Sequence, residues 1–528
     1  MSFAELLERT GGMGRFQITQ VVLLCFPILL MASHNLLQNF SAAIPDHKCK
    51  ANDTGYQSNS TDETGYERLS APLDANGQPD RCLEYVEIQW RMVGSNSTWN
   101  NSSELATRPC TIGWEYSKDE FSSTIITEWD LVCGRKTRRQ LAQSIYMGGV
   151  LVGAIILGGL SDRYGRRALL IWSYFQLAVS GVCAAFSPNY LSYCIFRFLT
   201  GMALSGIGLN TTALIVEWIP TGNRAFTSTA TGYCYTMGQL VLVGLAFMIR
   251  DWHWLQLAAS LPFFFYFLYS WWIPESGRWL VLSGKPEVAC KALKKVAKIN
   301  GKKEAGEKLT VEVLKSSMQR EISASKHSTY SVLDLVRTPV VRRISFCISC
   351  TWFSTSFAYY GLALDLQSFG VSIYIIQIIF GTVDIPAKFF SYFVMTYIGR
   401  RVLQALTLIL AGIAILVNIC VPQDYQTVRT SMAVFGKGCL AASFNCLFLY
   451  TGELYPTVIR QSGMGLGTMM ARLGGIIAPL AQMTGDIYHS LPLIIFGCLP
   501  ILSGIAGCFL PETLGVPLPE TIEDVERS

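Results

Sequence analysis

At 528 residues the chain has the length of three or four soluble domains, but 51% of its residues are hydrophobic, only 15% are charged, and the mean hydropathy is +0.34. Soluble domains carry about 25% charged residues, so this composition excludes a string of them. The net charge of +5 is no nucleic-acid signature, because the basic residues collect in segments between apolar runs.

In chain order, apolar stretches near 17–40, 140–160, 169–187, 191–215, 226–248, 254–273, 343–364, 372–396, 402–421, 428–450, 462–485 and 491–510 predict twelve membrane helices. Each approaches or exceeds the ~20 residues that cross a ~30 Å hydrocarbon core. The first run, Val21 to Leu30 behind Arg15, has the outline of a signal peptide, but Ala32-Ser33-His34-Asn35 is a poor cleavage site. It is read as a span.

The segment between the first two spans, 41–139, holds Asn-x-Ser/Thr acceptors at Asn52, Asn59, Asn96, Asn100 and Asn101. It is expected outside the cell and glycosylated. Further matches at Asn39 and Asn210 fall in or beside spans and read as chance or as pocket residues. Four of the sixteen cysteines, Cys49, Cys82, Cys110 and Cys133, lie in this loop and predict two disulfides, with three pairings open. The other twelve cysteines sit mostly in spans as small apolar residues. None has metal-ligand spacing with histidine, so no metal is expected.

Lys and Arg concentrate in cytoplasmic loops. The segment from Gly277 to Arg343 carries fifteen of them, and Asp162-Arg163-Tyr164-Gly165-Arg166-Arg167 and Gly399-Arg400-Arg401 thread to the same side. Both termini are therefore expected in the cytoplasm. The chain divides into a six-span half at 1–273, a cytoplasmic linker at 274–342 with short amphipathic helices or a solvated strand of chain, and a six-span half at 343–528.

The halves repeat. Glu217-Trp218-Ile219-Pro220-Thr221-Gly222-Asn223-Arg224 matches Glu453-Leu454-Tyr455-Pro456-Thr457-Val458-Ile459-Arg460 at an offset of 236 residues. Gly165-Arg166-Arg167 returns as Gly399-Arg400-Arg401 after 234, and Pro274-Glu275-Ser276 as Pro511-Glu512-Thr513 after 237. Two parallel six-helix repeats, with substrate held between them, are one established plan for secondary transporters. Asp162, Arg166, Glu217, Arg224, Glu453 and Arg460 lie at related helix ends. They are expected to form a gating network that closes the cytoplasmic side of the outward-facing state.

Ionised groups inside a membrane are functional candidates by default. Arg472 lies deep in the eleventh span with no acid within a turn. Lys388 lies in the eighth, four residues after Asp384, with which it could simply pair on one helix face. Lys437, near the outer end of the tenth span, is read as able to snorkel and is left out of the site. Tyr235, Trp352, Tyr359, Tyr360, Phe444 and Phe448 offer aromatic surface. Tyr359 and Tyr360 are adjacent and cannot both face one way, and an aromatic stripe is by itself more often packing than pocket. Met31, Asn35 and Asn39 recur every four residues in the first span, a stripe expected to face a wet cavity because unsatisfied amides are costly in lipid. There is no G-x-x-x-x-G-K-[ST] loop for ATP-driven pumping.

Gly158-Gly159-Leu160-Ser161-Asp162-Arg163-Tyr164-Gly165-Arg166-Arg167 matches the loop motif of the major facilitator superfamily, and Arg197-Phe198-Leu199-Thr200-Gly201 resembles its fourth-span motif. Arg197 is read as structural. Pro274-Glu275-Ser276-Gly277-Arg278-Trp279-Leu280 is similar to the sugar-porter branch. Met31-Ala32-Ser33-His34-Asn35, Thr127-Glu128-Trp129-Asp130-Leu131-Val132-Cys133, Ser356-Phe357-Ala358-Tyr359-Tyr360, Gly436-Lys437-Gly438-Cys439-Leu440 and Leu510-Pro511-Glu512-Thr513-Leu514 resemble the organic anion transporter subfamily, over essentially the whole chain. The resemblance implies a secondary transporter, not an enzyme. It would exchange incoming organic anions for 2-oxoglutarate or another dicarboxylate across the plasma membrane, on the basolateral side of epithelium. It also implies Arg472 and Lys388 as the cavity's cations and Tyr235, Tyr360 and Phe444 as pocket aromatics. No cofactor is expected, chloride near Lys388 or Arg472 being the one candidate ion. The expected partners are small organic anions, the dicarboxylate and membrane lipid, with no nucleic acid. An organic cation or zwitterion transporter on the same fold is the nearest competing reading, and Arg472 argues against it. A receptor or membrane enzyme is the reading from another class, and no catalytic constellation supports it.

Overall fold

A computed structural model describes residues 3–50, 70–74, 77–86, 106–220, 223–319, 322–323, 333–456, 458–516, 519 and 522–527. The chain divides into two compact units. One comprises residues 1–39, 140–248 and 253–528, and the other residues 40–139 and 249–252.

The large unit is a helical membrane bundle. Among the described residues, nine helices are long and apolar enough to cross a membrane by length and composition. They belong to spans one to five and eight to eleven. Three more stretches complete the twelve. The sixth is broken by Pro262 into Trp252–Ser260 and Pro262–Ser270, since proline lacks the N–H and crowds the preceding turn. The seventh, Pro339–Ala363, is diluted by Ser, Thr, Trp and Tyr. The twelfth, Leu491–Gly507, has 17 residues. Spans two to five run over Thr137–Tyr164, Arg166–Ala185, Tyr190–Trp218 and Arg224–Met248. Spans eight to eleven run over Ile373–Tyr397, Arg400–Cys420, Gln426–Leu454 and Arg460–Gln482. The first, Arg15–Leu36, continues through a short helix at Gln38–Ser41.

The repeated motifs meet in space. Gly165 and Gly399 take φ of +104° and +134°, conformations open to glycine, and turn the chain into the third and ninth spans. In each half the acid that follows the last span then caps the helix so begun. Glu275 accepts the backbone N–H groups of Arg166 and Arg167 at 3.1 Å, and Glu512 accepts those of Arg400 and Arg401 at 3.0 Å. Helix starts leave four N–H groups unpaired, and a carboxylate satisfies them with the favourable sign of charge.

The segment after the first half forms short helices, the longest among the described residues being Pro286–Ile299. Its apolar face, Ala289, Cys290, Leu293 and Val296, packs into a cluster with Leu6 and Leu7. Beyond its end, Asn300 accepts the N–H of Phe16 at 3.0 Å and donates to Gln17 at 2.9 Å, capping the first span. Glu526 does the same for the seventh, accepting Val340 and Val341 N–H at 3.0 and 3.2 Å.

Among its described residues the small unit holds two short antiparallel ribbons. Strand β1 (His47–Cys49) pairs with β4 (Trp114–Tyr116), and β2 (Leu83–Tyr85) with β3 (Thr107–Pro109). Disulfides join Cys49 to Cys110 and Cys82 to Cys133, which settles the pairing that spacing left open. His47 lies beside the second bridge, whose sulfurs are bonded to one another and so unavailable as metal ligands. Asn52, Asn59, Asn96, Asn100 and Asn101 lie outside the described residues.

Candidate functional site

Arg472 stands twelve residues into the eleventh span, near mid-helix. Its Nη1 donates to the Val150 carbonyl at 2.8 Å and to the Ser205 hydroxyl at 2.5 Å, on the second and fourth spans. Both acceptors are neutral and both belong to the first half. Lys388 repeats the arrangement from the eighth span, donating to the Gly232 carbonyl at 3.0 Å and the Thr236 hydroxyl at 3.1 Å on the fifth. Two cations of one half are thus held by uncharged oxygens of the other.

The expected i, i+4 pairing of Asp384 with Lys388 is not what forms. Asp384 Oδ1 pairs with Lys437 at 2.9 Å, and its Oδ2 accepts Gln239 at 3.3 Å. The reading of Lys437 as a snorkelling residue is likewise overturned. Its side chain is 1% exposed, bonded to the Phe380 carbonyl at 2.6 Å, and 5.0 Å from the centre of the Tyr359 ring. Eleven residues into its helix, or roughly 16 Å of rise, it lies too deep to reach an interface. Removing one partner of such a buried pair costs about 3–5 kcal/mol, although the pair itself contributes little net stability.

Aromatic and amide groups surround these charges. Asn35 donates to the Tyr235 hydroxyl at 3.0 Å and accepts from Tyr146 at 2.8 Å. The Tyr360 ring lies against Gly475 of the eleventh span, about one turn beyond Arg472. Tyr359 packs edge-on against Tyr360 and Phe444, with centroids 5.6 and 5.4 Å apart, and its hydroxyl accepts from Gln239. Met31 approaches Gly208 of the fourth span. Asn39 is buried, donating to the Ala363 carbonyl at 2.8 Å and to Gln377 at 3.3 Å. Both asparagines of the stripe are thus hydrogen-bonded to neighbouring helices. Trp352 is fully buried with its indole N–H on Thr451, so it packs the second half; Phe444 and Phe448 both lie against its ring, and Phe448 is half exposed. Asn210, read from its acceptor pattern, is buried and receives the Ser161 hydroxyl.

Of the gating candidates, Asp162 and Glu217 both meet Arg166, at 2.8 and 3.6 Å. In the second half Glu453 meets Arg400 at 3.1 Å, a partner that the sequence reading left out of the network. Arg460 donates to the Tyr455 carbonyl at 3.3 Å. The side chain of Arg224 lies outside those described. Sequence reasoning also missed Ser205, Thr236 and Gln239, whose only signal is polarity inside apolar helices. Arg197, read as structural, is 1% exposed, with its guanidinium carbon 4.1 Å from the centre of the Tyr146 ring and its Nη2 on the His34 carbonyl.

A twelve-helix bundle of two repeats, with charged and aromatic side chains where the repeats meet, defines a membrane carrier of the major facilitator type. The xylose transporter XylE of E. coli, in an inward-open conformation, superposes with a TM-score of 0.59 over 74% of this chain and 89% of its own, at 16% identity. That likeness concerns the fold. The model of the "Sugar (and other) transporter" family matches residues 75–524. Solute carrier family 22 member 6-B of Xenopus laevis is 77% identical over 526 residues, covering all of this chain and 95% of its own. Member 6 of Rattus norvegicus and organic anion transporter 3 of Mus musculus are each 52% identical over the whole chain, covering 94% and 95% of their own. The chain belongs to the sugar (and other) transporter family and, within it, to solute carrier family 22.

Proposed function

We propose that this carrier takes up organic anions across the plasma membrane in exchange for an intracellular dicarboxylate such as 2-oxoglutarate, by alternating access between its halves. The observation that carries the reading is the state of Arg472 and Lys388: both are deep in the bundle, and the oxygens they touch are neutral. A cation in this environment is costly unless paired, so the site favours a negative guest. A guanidinium grips a carboxylate with two parallel bonds, while an ammonium offers a point charge for a second anionic group or for chloride. Tyr235, Tyr360 and Phe444 supply surface for an aromatic body. The name of organic anion transporter 3, a relative at 52% identity, supports the same substrate class.

The same geometry supports the exchange reading. The bonds of both cations cross between halves, so a carboxylate that takes them over releases two ties between the repeats. The empty carrier re-forms these ties and is slow to change face, whereas the loaded one is free to do so. The gating network on the turns, cytoplasmic termini, a glycosylated outer loop and basolateral residence belong to the same proposal. Uptake of labelled p-aminohippurate into cells expressing the protein, with and without preloaded 2-oxoglutarate, tests it. Stimulation by preloading is expected, and uptake no greater than in control cells would refute the function.

A further inference from the structure

We infer that Lys437 is a positioning residue that sets the charge of the site by holding Asp384 away from Lys388. The inference rests on the anion-carrier reading above. Asp384 and Lys388 sit one turn apart on the same helix, a spacing at which acid and base ordinarily pair. Here both carboxylate oxygens are taken from other directions, Oδ1 by Lys437 of the tenth span and Oδ2 by Gln239 of the fifth. The acid and Lys437 are 3% and 1% exposed, so the pair is closed to solvent. Lys388 is left to the Gly232 carbonyl and the Thr236 hydroxyl.

The charge balance gives the consequence. Among the mid-span charges of the second half, Arg472, Lys388 and Lys437 contribute three positive charges and Asp384 one negative. Because Lys437 neutralises the acid, Arg472 and Lys388 both remain net cations, and a guest with two carboxylates meets two counter-charges. Without Lys437 the acid is free to turn to its i+4 neighbour, and one counter-charge is lost. A monoanion held by Arg472 loses less than a dianion spread over both. Lys437 thus tunes the preference for dicarboxylates without touching them.

The test compares initial uptake of labelled 2-oxoglutarate and p-aminohippurate at pH 7.4, normalised to surface protein, in Lys437→Gln, Asp384→Asn and the double variant. Lys437→Gln is expected to lower the dianion-to-monoanion ratio about tenfold, the scale of one lost charge interaction in a partly polar interior. Asp384→Asn should raise the ratio, and the double variant should return it to within about twofold of the parent, its two cations being intact. A purely structural pair would depress both substrates together and leave the ratio unmoved in every variant, which overturns the inference. If Lys437→Gln fails to reach the surface, the opposite shift in Asp384→Asn and the ratio in the double variant still decide. Absence of uptake of either anion by the parent protein overturns the function itself and this inference with it, whereas parent uptake with unmoved ratios overturns the inference alone.

Discussion

Glu512 closes the turn into the ninth span by accepting the backbone N–H of Arg400 at 3.0 Å, while the Arg400 side chain reaches Glu453 at 3.1 Å. One arginine thereby joins three helix ends. Glu275 and Arg166 repeat the arrangement in the first half, with Glu217 in the place of Glu453.

The first prediction follows from that cap. Glu512→Ala removes a charged acceptor from the N–H groups of Arg400 and Arg401, and from those of Thr513 and Leu514, and should destabilise the protein by about 1–2 kcal/mol. Glu512→Gln keeps an acceptor oxygen and should lose less. Thermal unfolding of purified protein in detergent measures both, and an Ala variant as stable as the parent would show that solvent replaces the cap.

Glu453→Arg should slow turnover by placing two cations together where Arg400 now has an acid. Adding Arg400→Glu should restore part of the rate, since the pair is then present with its ends exchanged. Uptake rates normalised to surface expression measure this. A double variant no faster than the single would mean that the pair's orientation matters, through the other bond the Arg400 side chain makes, to the Met395 carbonyl.

In the small unit, the Cys82–Cys133 bridge spans 51 residues of chain. Replacing both cysteines with serine frees that loop in the unfolded state and should cost about 2–4 kcal/mol. Faster proteolysis of this unit, read as the appearance of cut fragments over time, is the expected outcome.

Lys388→Ala should weaken 2-oxoglutarate more than p-aminohippurate, because only the dianion has a second group for the ammonium. Competition curves for the two substrates on one cell line give the ratio directly. Equal losses would place Lys388 in the ties between halves alone.

Much of the bundle was legible because membrane burial writes itself along the chain as apolar runs, and because duplication leaves Gly-Arg-Arg and Pro-Glu-Ser/Thr at near-constant offsets. That the two motifs of each half are partners was not legible, since Glu275 and Arg166 are 109 residues apart and only folding brings them together. The same limit explains Asp384. Sequence spacing favours its helix neighbour Lys388, yet the carboxylate points across to Lys437, 53 residues on. Arg472 could be read from its depth alone, but its resting partners, a carbonyl and a serine on two other spans, leave no pattern in the sequence. The asparagine stripe at Asn35 and Asn39 was visible as periodicity, while what satisfies it depends on neighbouring helices.

As the proposed counter-charge of an organic anion, Arg472 is tested by p-aminohippurate uptake in variants of that residue at matched surface expression. Arg472→Lys keeps the charge without the two-pronged grip and should retain part of the uptake, unevenly among substrates. Arg472→Ala should lose about 2 kcal/mol or more of anion binding, roughly thirtyfold in apparent affinity. Arg472→Asp should abolish anion uptake. Full transport by a well-expressed Arg472→Ala protein would show that Arg472 is not the anion's counter-charge.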